Sequence, residues 1–138
     1  MVNANHGGVF ATSRESDWVL HKAHAAVADL LNAPSLEEIV FGQNMTSLTF
    51  HLSRAIGRTW KPGDEVMVTR LDHDANVRPW VIAAANVGAV IRWVDFDPAT
   101  AELAVHNVEE QLGPRTRLVA LTAASNLIGT MPDVRAIA

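Results

Sequence analysis

The feature that most constrains this chain is an alternation of short β-branched apolar runs with segments of helical spacing, each change marked by a turn or cap. Glu38-Ile39-Val40-Phe41-Gly42 reads as a first strand, and the segment after Asn44 returns to helical spacing through Leu48, Leu52, Ala55 and Ile56. Lys61-Pro62-Gly63-Asp64 is a Pro-Gly turn, and Glu65 to Arg70 after it reads as a second strand. The stretch Ala75 to Val87 is helical, and because Pro79 is tolerated only in a first turn, that helix should begin near Arg78. Ala89 to Phe96 is a third strand, Val105 to Leu112 a short helix closed by Gly113-Pro114, and Arg117 to Ala123 a fourth, nearly all-apolar strand. Ahead of all these, Ser16-Asp17 can cap a helix running to about Asn32, with Val19, Leu20, Ala23, Val27, Leu30 and Leu31 on one face and Pro34 as its stop. Trp18 falls on the opposite face, either as packing against something else or as an exposed aromatic. Four strands separated by helices, two of them apolar enough to be covered on both faces, imply an α/β fold with a largely parallel sheet and flanking helices.

Composition narrows the class further. The 138 residues suit one domain, and 49% hydrophobic with 19% charged residues is the balance of a globular chain. The 11 basic and 15 acidic residues give a net charge of −4 with no basic cluster, so nucleic acid is not an expected partner. With no cysteine there are no disulfides, thiolate metal sites or cysteine nucleophile. The N-terminus lacks the pattern of a signal peptide, and long uncharged stretches such as Pro79 to Ile91 and Leu118 to Pro132 fall short of the roughly 20 residues a membrane span needs. A cytoplasmic protein with no membrane partner is the expectation.

In open α/β sheets ligands bind beyond the carboxyl ends of the strands. Three of the four predicted strand ends carry polar clusters. Gly42 to Ser47 leads straight into a helix, where free N–H groups and the Thr46 and Ser47 hydroxyls suit a phosphate or simply cap the helix. Leu71 to Trp80 gathers a His, two Asp, an Asn, an Arg and a Trp. A metal held by Asp72, His73 and Asp74 and a solvated loop histidine are both readings of that cluster, although no H-E-x-x-H spacing supports the metal. After the fourth strand, Asn126 sits at the strand end and Gly129 permits a tight turn. His21 and His24 on the first helix read as surface histidines rather than ligands.

Taken together, these clusters resemble the pyridoxal-phosphate (PLP) enzymes of the class V aminotransferase superfamily, fold type I, and within it the cysteine desulfurase-like branch. His73-Asp74-Ala75-Asn76-Val77-Arg78-Pro79-Trp80 is similar to that branch's H-x-A-N-x-x-P-W motif, and Ser125-Asn126-Leu127-Ile128-Gly129-Thr130 to its S-N-x-x-G-T segment. The Met45-Thr46-Ser47 region aligns with the phosphate-binding loop, where the family more often has Gly-Thr-Thr or Gly-Ala-Thr in place of Asn44-Met45-Thr46. Asn3 to Gly8 resembles a loop near the substrate. The resemblance implies that Met45 and Thr46, with neighbouring N–H groups, hold the cofactor phosphate. It implies that His73 stacks on the pyridine ring and stands ready for proton transfer as the catalytic residue, and that Asn126 bonds the ring's phenolic oxygen. No metal is implied.

In that family the Schiff-base Lys and the Asp that pairs with the pyridinium nitrogen lie downstream of the S-N-x-x-G-T segment, and the only lysines here, Lys22 and Lys61, are misplaced for the role. The closing segment Pro132 to Ala138 looks like the opening of a further helix. The expectation is therefore that residues 1–138 are part of the PLP-binding large domain, truncated at both ends, of an enzyme acting on an amino acid and homodimeric at full length. Alone, the chain should be inactive. The competing expectation is a non-catalytic α/β module that binds a small phosphorylated ligand or a partner chain.

Overall fold

The computed structural model describes residues 5–138, so part of the Asn3 to Gly8 segment lies outside the described residues. The chain divides after Gly42 into two compact units.

The first unit is built on α1 (Ala11–Leu31). It begins five residues before the expected Ser16-Asp17 cap, because those two side chains have other partners. Ser16 donates to the Thr12 carbonyl, and Asp17 accepts the Gly7 N–H at 2.8 Å. The helix ends as expected at Asn32, whose φ of 52° puts it in the left-handed region and lets its N–H close on the last turn. Of the expected apolar face, Leu30 and Leu31 are exposed, and Ala28 and Ser13 are the buried positions of the helix. Trp18 is an exposed aromatic with the Lys22 ammonium 4.2 Å from its ring centroid, one turn on.

The run Glu38 to Gly42 is not a strand. A single 3-10 turn, Leu36–Glu38, capped by the Ser35 hydroxyl, takes up its first residue, and no strand among the described residues pairs with the rest. Only Ile39 is buried, and Phe41 stands edge-on to the His24 ring, 4.8 Å between centroids. Apolar content favours a strand only where a neighbour supplies the ladder.

The second unit runs α2 (Met45–Gly57), β1 (Glu65–Thr69), α3 (Arg78–Val87), β2 (Val90–Val94), α4 (Val105–Glu109), β3 (Thr116–Ala120) and α5 (Val134–Ile137). Among the described residues three parallel strands, rather than four, form the sheet in the order β2-β1-β3. The expected α/β class holds. Glu65 faces Val90 and Thr116 across the two ladders, and the register then skips Arg117, so that Val66 faces Leu118.

The strands are not equally covered. All five residues of β1 are buried, whereas β2 and β3, as edges, are largely open. Of the two strands expected to be covered on both faces, only β1 is, and the nearly all-apolar β3 has a neighbour on one side only. Alternation along β1 splits the core in two. Val66 and Val68 pack with Trp60, Trp80, Ala83 and Ala84 on one face, and Met67 packs with Leu71, Val94, Leu103 and Val108 on the other. Pro79 lies in the first turn of α3, as its missing N–H requires, and Gly88 closes that helix at φ +73°.

Candidate active site at the carboxyl ends of the strands

Thr69 ends β1, and the chain turns at once through Leu71-Asp72-His73 into a 3-10 turn over Asp74–Asn76. His73 caps that turn: its Nδ1 accepts the Ala75 N–H at 3.1 Å. This bond leaves the ring hydrogen on Nε2 and fixes the plane of an exposed imidazole.

Asp72 is the hub of the site. Its Oδ2 accepts the Thr69 hydroxyl and the Thr122 N–H, the latter at 3.1 Å, and its Oδ1 accepts from Asn76 Nδ2 at 2.7 Å. Asn76 in turn accepts a long 3.4 Å bond from Trp80 Nε1. One carboxylate thus joins the end of β1, the His73 turn and the residues beyond β3. By sequence alone Asp72 stands only as a candidate metal ligand. The signal that could have marked its role is its position, three residues past the last strand residue and four before an Asn.

Beyond β3, the Thr122 hydroxyl donates to the Ala124 carbonyl at 2.6 Å and folds the chain toward the Ser125 to Thr130 turn. That turn is pinned by Ser125 N–H to Thr130 O at 2.8 Å and Gly129 N–H to Ser125 O at 3.0 Å, with Gly129 at φ +76°. Ser125 is buried and Asn126 exposed. At the start of α2, Asn44 Oδ1 accepts the Ser47 N–H at 2.9 Å and the Asn44 carbonyl accepts the Leu48 N–H. Of the four N–H groups a helix start leaves over, the Asn44 side chain takes that of Ser47, and those of Asn44, Met45 and Thr46 remain.

A cleft of about 580 Å³ opens between these segments. Met45, Asp72, His73, Asn76, Thr122 and Asn126 are among its lining residues. The expected site residues Met45, His73 and Asn126 are therefore brought together. Thr46, one position further into α2, is exposed and is not among the lining residues. Asp74 turns away to an ion pair with Arg78 at 2.9 Å. With Asp72 also engaged, the metal reading of Asp72, His73 and Asp74 loses its ligands, and among the described residues no group of three His, Cys, Asp or Glu could hold a metal ion.

The opposite end of the sheet carries a second group of ion pairs, besides Asp74–Arg78 and Arg70–Asp95 at the carboxyl end. Glu65 Oε1 accepts from Arg92 at 2.9 Å and Arg115 at 2.7 Å, while Asp64 takes the Lys61 N–H and the Arg117 guanidinium. The Lys61 N–H and Arg117 hold the Asp64 carboxyl below its ordinary pKa, and Arg92 and Arg115 do the same for Glu65, in both cases against the opposing effect of burial. This end holds the sheet together. Lys61 sits in the turn just before it.

Among the described residues no helix is long and apolar enough to cross a membrane. The family model of aminotransferase class-V matches residues 1–138. A cysteine desulfurase from Pectobacterium atrosepticum is 33% identical over 135 residues, which are 97% of this chain and 33% of that protein. The apo cysteine desulfurase from Thermococcus onnurineus NA1 shares the architecture with a TM-score of 0.89 at 26% identity, over 99% of this chain and 34% of the other. A C-DES variant whose structure has glycine covalently linked to the PLP cofactor shows the same fold, with a TM-score of 0.74 at 24% identity over 95% of this chain and 34% of that one. The chain spans about a third of the length of these relatives. Matched along its whole length, with the strand ends placed as described, this chain belongs to the aminotransferase class-V family.

Proposed function

We propose that this chain supplies part of the PLP-binding large domain of a cysteine desulfurase-like enzyme acting on an amino acid, homodimeric at full length. The observation that carries the reading is the meeting of Met45, His73 and Asn126, from three separate connections, around one cleft at the strand ends. The donor set fits the group. The Met45 and Thr46 N–H groups at the start of a 13-residue helix suit a phosphate dianion, helped by the helix dipole and the Thr46 hydroxyl. The exposed face of the His73 imidazole offers an aromatic surface for a flat heterocycle. Asn126 offers an amide donor to a phenolic oxygen.

Pyridoxal phosphate bound there would supply the electron sink that amino-acid chemistry at the α-carbon needs. The protein's part is to orient and to move protons. His73, held by the Ala75 N–H on one ring nitrogen, presents the other as a proton carrier toward the cleft. Neither lysine serves as a covalent anchor in this reading: Lys22 stacks on Trp18 within α1, and Lys61 lies in the turn at the amino end of β1. Residues 1–138 alone should therefore bind the cofactor without turning over an amino acid.

Equilibrium dialysis of the 138-residue chain against pyridoxal phosphate tests this. Saturable binding that inorganic phosphate competes away, and that falls about tenfold or more in each of Thr46→Ala, His73→Ala and Asn126→Ala, is the expected result. Binding unaffected by all three substitutions, or no binding at all by the folded chain, would overturn it.

A further inference from the structure

We propose that Asp72 is the positioning residue of this site: its carboxylate sets the orientation of the His73 ring and the approach of the Asn126 segment. The inference rests on the reading of the cleft as a cofactor site. An aspartate offers acceptors only, and here each oxygen meets donors from a different part of the chain: Thr69 and Thr122 on Oδ2, Asn76 on Oδ1. Thr69 is the last residue of β1, and Thr122 lies two beyond the end of β3. The carboxylate therefore fixes the spacing of two neighbouring strand ends just where the backbone ladder stops.

The same oxygens act on the site residues through short lever arms. His73 follows Asp72 directly, and its bond to the Ala75 N–H forms within the 3-10 turn that the Asp72 to Asn76 bond holds closed. Asn126 stands four residues after Thr122, on the segment whose start the Asp72 to Thr122 bond anchors. Trp80, buried in the core, fixes the far side of Asn76. The chain of contacts runs from core to cleft without a gap.

Polarity gives the proposal its test. In Asp72→Asn the new amide meets the Asn76 amide, and no flip of either satisfies Asp72's former partners and the Trp80 N–H together. The double variant Asp72→Asn with Asn76→Asp restores all of them. The new Asn accepts from Thr69 and Thr122 and donates to the new Asp, which also accepts from Trp80.

The readouts are the tautomer of His73, from long-range proton–nitrogen NMR correlations without ligand, and the affinity for pyridoxal phosphate by dialysis. Both are measured well below the melting transition, where a purely structural role would leave them unmoved. The expected result is a single Nε2–H tautomer in the wild type, a mixture with about tenfold weaker binding in Asp72→Asn, and recovery of both, affinity to within about threefold, in the double variant. If Asp72→Asn does not fold, a folded double variant with the wild-type tautomer supports the proposal. A lowered melting temperature in Asp72→Asn with unchanged tautomer and affinity would overturn it, as would a folded double variant that keeps mixed tautomers. Failure of the wild type to bind the cofactor defeats the cofactor reading alone, and the ligand-free tautomer then decides the role of Asp72.

Discussion

Arg115 reaches Glu65 at 2.7 Å across fifty residues of sequence, and Arg92 reaches the same carboxyl oxygen at 2.9 Å from the other neighbouring strand. Glu65 thus ties the first residue of the central strand to both of its flanks. Because these cations hold the Glu65 carboxyl below its ordinary value of 4.5, the native state favours the ionised form more than the unfolded chain does. The contribution is complete above that ordinary value and fades as pH falls through the lower native one. Asp64, depressed by the Lys61 N–H and Arg117, acts in the same sense. Thermal melts between pH 7 and pH 2 should show stability dropping from about pH 4.5 downward. Glu65→Gln should lower the melting temperature at pH 7 and differ progressively less from wild type in acid. A difference that persists unchanged at pH 2 would show that size and packing, not charge, explain the loss.

Met67 sets the scale for the core. It is the middle residue of β1 and fully buried, with Val94 and Val108 against it on the face opposite Trp60 and Trp80. Met67→Ala should cost roughly 2–5 kcal/mol, the transfer of the side chain plus the cavity left behind. Met67→Leu, close in volume, should cost less than about 1.5 kcal/mol. Urea titrations should show the midpoint shifting with an unchanged slope.

Gly88 is required by conformation more than by space. Its φ of +73° ends α3, and its carbonyl accepts the Gly63 N–H of the turn before β1 at 2.9 Å. A Cβ would sit 3.4 Å from the Pro62 Cβ, at the near edge of ordinary van der Waals contact. Gly88→Ala should therefore destabilise by about 1 kcal/mol or more, from the left-handed backbone alone. Gly88→Asn, which tolerates that region better, should recover part of the loss in the same melts.

Local signals carried most of the fold. The Pro62-Gly63 turn, the placement of Pro79 and the run of β1 are all visible in the sequence because each depends on residues near one another in the chain. Two misreadings have one physical origin. Val40 and Phe41 have the composition of a strand but no ladder partner, and β3 is apolar enough for a central position yet lies at an edge. Sheet neighbours are non-local, and composition cannot supply them. The start of α1 was misplaced for a related reason, since Asp17 is engaged by Gly7 ten residues earlier. At the site, His73 and Asn126 were legible through the motifs they sit in, whereas the role of Asp72 depends on Thr122, fifty residues away.

The two sheet edges are finished differently. Along β2, Asn107 Nδ2 donates to the Asp95 carbonyl at 2.9 Å and Gln111 Nε2 to the Trp93 carbonyl at 3.1 Å, so side chains from α4 and the turn after it occupy acceptors that a further strand would seek. No strand among the described residues pairs with the outer side of β3. Leu112 and Val134 are exposed beside an apolar cleft that they line with Val119 and Leu121. An exposed edge beside apolar surface invites association. Sedimentation velocity of the 138-residue chain should show self-association that rises with concentration. Replacing both Asn107 and Gln111 by Ala removes these two bonds and the longer one from Gln111 to the Asn107 carbonyl, worth about 1 kcal/mol each, and should strengthen self-association by opening the second edge. A strictly monomeric wild type over the accessible concentration range would show that the β3 edge is protected, and an unchanged association constant in the double variant would show that β2 is closed by its twist and charges rather than by these amides.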